Sequence, residues 1–209
     1  MKDEIDSLLQ LRHENIVEYL GAKMEDDEDL YIFLEFVNGR SLDKVYKELT
    51  LNDALVYCYT KQILKGLKYL HERNFIHGNM KCANILLTNN GGLKIADFGL
   101  TNLQNLLKAG RGIPAWSAPE FIDTKRQGEY GLTKADIWSL GCTVLEMLTE
   151  KLPYSGLETW SIWYRIGQGI PPSISDSLSD NSRNFIQKCL QVNLKERPTA
   201  SQLLEHQIC

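Results

Sequence analysis

The 209 residues contain no apolar run that approaches the length of a membrane span. They carry no excess of positive charge: 23 Lys and Arg stand against 27 Asp and Glu, a net charge of -4. That balance gives no electrostatic reason to expect nucleic acid or an anionic membrane as partner. Internal repeats and low-complexity segments are absent, which speaks against a solenoid or a disordered scaffold. Cysteine is sparse, at Cys58, Cys82, Cys142, Cys189 and Cys209. An odd, scattered set without metal-ligand spacing reads as free thiols in a reducing compartment. The first residues, Met1-Lys2-Asp3-Glu4, do not read as a secretory signal, so the expected setting is the cytoplasm. Hydrophobic residues at 43% and charged residues at 24% are ordinary for a soluble globular chain. The length suits one substantial domain or two small lobes.

The pattern along the chain is mainly helical. Ile5, Leu8, Leu9 and Leu11 predict a short amphipathic helix over residues 4–11. Strands are expected around 16–22 and 30–37, joined through the acidic run Glu25-Asp26-Asp27-Glu28-Asp29. That run reads as a solvated hairpin turn, with a docking site as the alternative. Asn38-Gly39-Arg40-Ser41 breaks the pattern and marks a boundary. Leu55, Tyr59, Ile63, Leu67 and Leu70 then fall at helical spacing. Ile85-Leu86-Leu87 and Leu93-Lys94-Ile95 flank Asn89-Asn90-Gly91-Gly92, a strong hairpin signal because Asn and Gly tolerate positive φ. Residues 133–149 are apolar almost all round and predict a buried helix. Further helices are expected over 157–166, 179–191 and 199–206.

Two stretches carry chemistry: Phe75-Ile76-His77-Gly78-Asn79-Met80-Lys81-Cys82-Ala83-Asn84, and after the hairpin Ala96-Asp97-Phe98-Gly99. Taken alone, an Asp-Phe-Gly is usually a turn and a lysine usually lies on the surface. In this order, with a hairpin between them, they resemble the catalytic loop H-R-D-x-x-x-x-N and the metal-binding D-F-G turn of a protein kinase. Ala118-Pro119-Glu120 and Asp136-Ile137-Trp138-Ser139-Leu140-Gly141 extend the resemblance. Longer matches, among them Leu11-Arg12-His13-Glu14-Asn15-Ile16-Val17 and Lys81-Cys82-Ala83-Asn84-Ile85-Leu86, resemble the plant-type mitogen-activated protein kinase kinase kinases, from residue 2 to residue 206.

The resemblance implies an α+β, protein-kinase-like fold. Residues 1–37 would be a truncated N-terminal lobe (helix C, two strands, hinge), and 38–209 a mainly helical C-terminal lobe. It implies Asn84 and Asp97 as magnesium ligands, Lys81 on the γ-phosphate and Glu4 as the glutamate of helix C. Leu34 would be the gatekeeper, Glu35 and Val37 part of the hinge that bonds adenine through its backbone, and Leu86 the residue beneath the ring. Leu8, Tyr19, His77 and Phe98 would stack as the regulatory spine, and buried Glu120 would pair with Arg197. Asp136 has a second reading, since Thr133-Lys134-Ala135-Asp136 also resembles a helix-capping sequence. The implied partners are other kinases of a phosphorylation cascade, with ATP and magnesium as cofactors and the oligomeric state open. Trp160, Trp163 and Tyr164, at i, i+3 and i+4, present either a partner surface or a face packed on the fold's own core.

The departures are as informative. Where the family has its catalytic aspartate this chain has Asn79, and Gly78 replaces the adjacent arginine. A neutral amide cannot accept the substrate proton, and losing a general base costs ~10²–10⁴ in rate. No G-x-G-x-x-G occurs; Gly167-Gln168-Gly169 precedes Pro171-Pro172 and reads as a loop. The lysine that should pair with Glu4 is also missing, so ATP binding is expected to be weak or absent. No Ser or Thr lies between Asn102 and Ala115 in the expected activation loop, and Ile113 stands where the family has a threonine. The expectation is a catalytically deficient pseudokinase used as a signalling interaction module. Whether the chain is an enzyme stays open, the alternative being an active ATP-dependent serine/threonine kinase whose N-terminal lobe is missing from this chain.

Overall fold

The structure, a computed structural model, describes residues 7–25, 29–98, 115–122 and 132–209. The helix expected over 4–11 falls partly outside them; residues 7 and 8 are helical and a turn follows. β1 (Tyr19–Glu25) and β2 (Asp29–Leu34) form an antiparallel pair with an irregularity between Tyr19 and Gly21. β1 begins and ends three residues later than the apolar pattern suggests, and β2 begins one residue and ends three residues earlier. A second sheet has the order β3 (Gly39–Ser41), β4 (Ile85–Thr88), β5 (Leu93–Ile95), antiparallel throughout. An isolated parallel bridge, Ile16 to Ile95, ties the segment before β1 to β5.

The helices are α1 (Leu42–Val45), α2 (Asp53–His71), α3 (Pro119–Ile122), α4 (Thr133–Thr149), α5 (Thr159–Gln168), α6 (Asp180–Cys189) and α7 (Ala200–Leu203). Local chemistry sets several ends. The Asn52 side chain accepts from Leu55 N and starts α2, and Ser179 accepts from Ser182 N at the head of α6. Thr199 and Gln202 form a reciprocal capping box at α7, a shorter helix than the pattern over 199–206 suggests. Gly169, with φ 74°, ends α5 in the left-handed conformation.

α4 is the axis of the core. Every residue from Lys134 to Met147 is buried, as an all-round apolar helix must be. Gly141 lets α6 approach closely, because a Cβ there would lie 2.6 Å from the Cys189 Cβ. α2, α4, α6 and α7 share one hydrophobic cluster with β4 and β5. A second cluster gathers Leu8, Leu11, Ile16, Tyr19, Leu70 and Phe98. No helix among the described residues is long and apolar enough to cross a membrane.

Candidate phosphoryl-transfer site

Asp136, in the first turn of α4, organises the loop that carries Asn79. Its Oδ2 accepts from His77 N at 2.8 Å and lies 2.8 Å from His71 Nε2, and its Oδ1 accepts from Gly78 N at 2.8 Å. Burial alone would raise this carboxyl, but the His71 hydrogen bond, the nearby imidazoles and the Gly78 amide outweigh it and hold it below the ordinary range. The capping reading of Thr133 to Asp136 is therefore corrected. Leu132 occupies the N-cap position without a side-chain bond, and the Asp136 carboxylate reaches across to the loop instead. Gly78 adopts φ 76°, a left-handed backbone that glycine enters without steric cost.

His77 locks the next step. Its Nε2 lies 3.0 Å from the Ala96 carbonyl, which can only accept, so Nε2 carries the proton. Nδ1 is then free to accept from Asn79 N at 3.0 Å. Both bonds require a neutral ring, and burial lowers the pKa of His77 in agreement. Ala96 N in turn donates to Asn84 O at 2.9 Å, so the loop and the turn after β5 are laced together.

Asn79, Asn84 and Asp97 meet at the mouth of this frame. Asn84 Nδ2 donates to the Asn79 carbonyl at 2.8 Å, which commits the amide nitrogen and leaves Oδ1 without a partner among the described residues. Asn79 Nδ2 donates to Asp97 Oδ2 at 3.3 Å. Asp97 has φ 64°, a left-handed conformation rare outside glycine and typical of functional turns. An amide oxygen and a carboxylate suit magnesium, a hard cation that takes one or two protein oxygens and completes its shell with phosphate and water. The donor set fits that ion. No cluster of three or more His, Cys, Asp or Glu with metal-binding geometry occurs among the described residues, so the phosphates would have to supply the rest.

The spine residues come together. Leu8, Tyr19 and Phe98 share a cluster, the Tyr19 and Phe98 rings are 5.1 Å apart edge to face, and Phe98 is 6.4 Å from His77. Tyr19 also donates its hydroxyl to Phe98 O at 2.8 Å. At the expected hinge, Glu35 is held through its side chain, which accepts from Glu18 N at 2.8 Å and pairs with Lys94 Nζ at 2.6 Å. The Val37 amide has no partner among the described residues. Leu34 is exposed and Leu86 half-buried. Glu4, Gly99, Ile113 and the rest of the expected activation loop up to residue 114 lie outside the described residues.

Lys81 faces a cleft of about 370 Å³ that it shares with Asp43, Tyr46, Trp116 and Glu146. Glu146 accepts from Trp116 Nε1 at 2.8 Å, Tyr46 Oη at 3.0 Å and Cys82 N at 3.3 Å, while burial raises its pKa. Sequence reasoning missed this buried support, as it missed His71. A carboxylate inside an otherwise apolar helix was the available signal for Glu146; His71 carried none. Farther out, Glu120 and Arg197 form the expected buried pair, 2.5 Å and 3.2 Å apart at their two contacts. Arg197 also donates to Lys134 O and Gln191 O and lies over the Trp138 ring. On α5 the three aromatics divide: Trp160 and Tyr164 are exposed, at 78% and 67%, while Trp163 turns partly inward.

Comparison with known proteins agrees with this geometry. The protein kinase domain model matches residues 1–209. Mitogen-activated protein kinase kinase kinase 1 of Arabidopsis thaliana is 52% identical over 208 residues, covering 99% of this chain and 34% of that protein. Mitogen-activated protein kinase kinase kinase 1b of Physcomitrium patens is 48% identical over 209 residues, covering 99% of this chain and 27% of that protein. The crystal structure of Rad53 1-466 in complex with AMP-PNP superposes with a TM-score of 0.82 at 31% identity, over 99% of this chain and 54% of that chain. The chain thus spans about a third or less of the curated relatives' length. With the loop, the turn and the buried pair in place, this chain belongs to the protein kinase domain family and resembles the plant mitogen-activated protein kinase kinase kinases.

Proposed function

We propose that this domain is a catalytically deficient relative of the mitogen-activated protein kinase kinase kinases that serves a phosphorylation cascade by binding its kinases. One observation carries the reading: at the position of the general base, Asn79 presents an amide that donates to Asp97. A group that donates there and is essentially non-basic cannot take a proton from an attacking hydroxyl. Residues 1–37 and 38–209 are read as the two kinase lobes. Nucleotide would meet the Val37 amide and lie on Leu86, with Asn84 and Asp97 holding magnesium and Lys81 near the transferred phosphate. Magnesium supplies neutralisation of the phosphate charge when bound. The reading includes weak nucleotide binding by these 209 residues taken by themselves, which contain no glycine-rich loop.

The test pairs binding with chemistry. A purified kinase of the cascade, titrated calorimetrically, binds the chain with the same affinity in wild type and Asp97→Ala, and no phosphate is transferred. Transfer by the wild type that is lost in Asp97→Ala favours the second reading, an active serine/threonine kinase. That reading is supported by the intact Lys81, Asn84 and Asp97.

A further inference from the structure

We propose that Asn79 is a latch that competes with divalent metal for Asp97. The inference rests on reading Asn84 and Asp97 as the metal ligands. It does not depend on whether the chain transfers phosphate.

The chemistry of the pair differs from that of two carboxylates. An aspartate at position 79 would set a second negative charge against Asp97, a repulsion that a bound cation relieves. Asn79 replaces that repulsion with attraction, since its Nδ2 donates to Asp97 Oδ2 at 3.3 Å. The amide is itself well positioned. Its backbone N donates to His77 Nδ1 at 3.0 Å and its carbonyl accepts from Asn84 Nδ2 at 2.8 Å. Part of the site is thereby satisfied without metal: Asp97 Oδ2 has a donor and the Asn84 amide nitrogen has an acceptor, while Asn84 Oδ1 stays available. A cation that approaches Oδ2 of Asp97 on the side facing Asn79 displaces the amide donor, and it meets one negative charge fewer than a pair of carboxylates would offer. Asp97 is exposed and the bond is long, so the latch is weak enough to open when cation and phosphate arrive together. Asn79 is a positioning residue in this role, acting on the metal through Asp97.

Two effects separate experimentally. Asn79→Ala removes the donor at constant charge, and Asn79→Asp removes the donor and adds a charge. Manganese binding to the 209-residue chain, followed by the electron paramagnetic resonance signal of the free ion, reads both without any phosphate transfer. Affinity is expected to rise about threefold in Asn79→Ala, the lower end of what a net hydrogen bond contributes, in keeping with the length and exposure of this one. It is expected to rise about tenfold or more in Asn79→Asp, the scale of an added unit charge near a divalent ion in a largely aqueous setting. Asp97→Asn should abolish the binding. A circular-dichroism melt checks that each variant folds, and Asn79→Ser replaces Asn79→Ala if the latter does not melt cooperatively. Equal affinity in all forms overturns the latch. So does a gain confined to Asn79→Asp, which would assign the effect to charge alone, and so does binding that survives Asp97→Asn. A failed latch leaves the missing base untouched, and phosphate transfer by the wild type would leave the latch standing.

Discussion

The helical region around α4 and the β1–β2 hairpin solve the burial problem in opposite ways. In the first, fourteen consecutive residues of α4 are buried, and even a fully buried arginine has its charge met by Glu120 and its other donors by carbonyls. In the second, Leu20, Met24, Tyr31, Phe33 and Leu34 are exposed. The two strands pair only with each other among the described residues. A two-stranded sheet with apolar side chains in water is marginal by itself. The helical region therefore closes on its own side chains and carries the catalytic-loop frame with it. The hairpin leaves its apolar side chains in solvent. The frame of Asp136, His77 and Asn84 depends on the first region, so it can persist whatever becomes of the second.

This contrast can be broken most forcefully at Arg197. Arg197→Ala removes the buried guanidinium that pairs with Glu120 and bonds two carbonyls, and should cost roughly 3–5 kcal/mol by urea denaturation, enough to unfold a marginal domain. Gly141→Ala places a methyl against Cys189 at a helix crossing and should cost about 1–3 kcal/mol by the same measurement.

Glu146 offers a pH-dependent handle on the same core. Burial raises its folded pKa above the usual carboxylate value, so its contribution is fully present below about pH 4.5 and is lost as pH rises through the raised value. The stability of wild type relative to Glu146→Gln should therefore fall as pH climbs from the ordinary carboxylate range through the raised value. A difference that grows with pH would reverse the assignment. The smallest effect is expected in the hairpin. Phe33→Thr should change stability by no more than about 0.5 kcal/mol, where a packed phenylalanine would cost several times as much.

Much of this was legible in the sequence because periodicity and motif agree there. Residues 133–149 were predicted as a buried helix from their apolar pattern, and α4 occupies that span. The Asn89–Gly92 turn between two β-rich tripeptides marks the β4–β5 hairpin, and the Glu120–Arg197 pair follows from the family pattern. What stayed hidden depends on contacts far apart in the chain. Whether the Asp136 carboxylate caps its own helix or reaches His77 and Gly78, fifty-eight or more residues away, is decided by packing. The bond from Asn79 to Asp97 also spans a hairpin, and no local pattern reports it. The aromatics of α5 share one helical face by spacing, yet Trp163 turns partly in while Trp160 and Tyr164 turn out, a division that spacing alone does not report.

The central claim is that the catalytic-loop frame is intact while its base is not. It is tested most directly by single-turnover transfer from radiolabelled magnesium-ATP to a kinase-kinase substrate, comparing the purified chain with Asp97→Ala. The account predicts rates indistinguishable from each other and from the uncatalysed background. Transfer by the wild type that disappears in Asp97→Ala would contradict it.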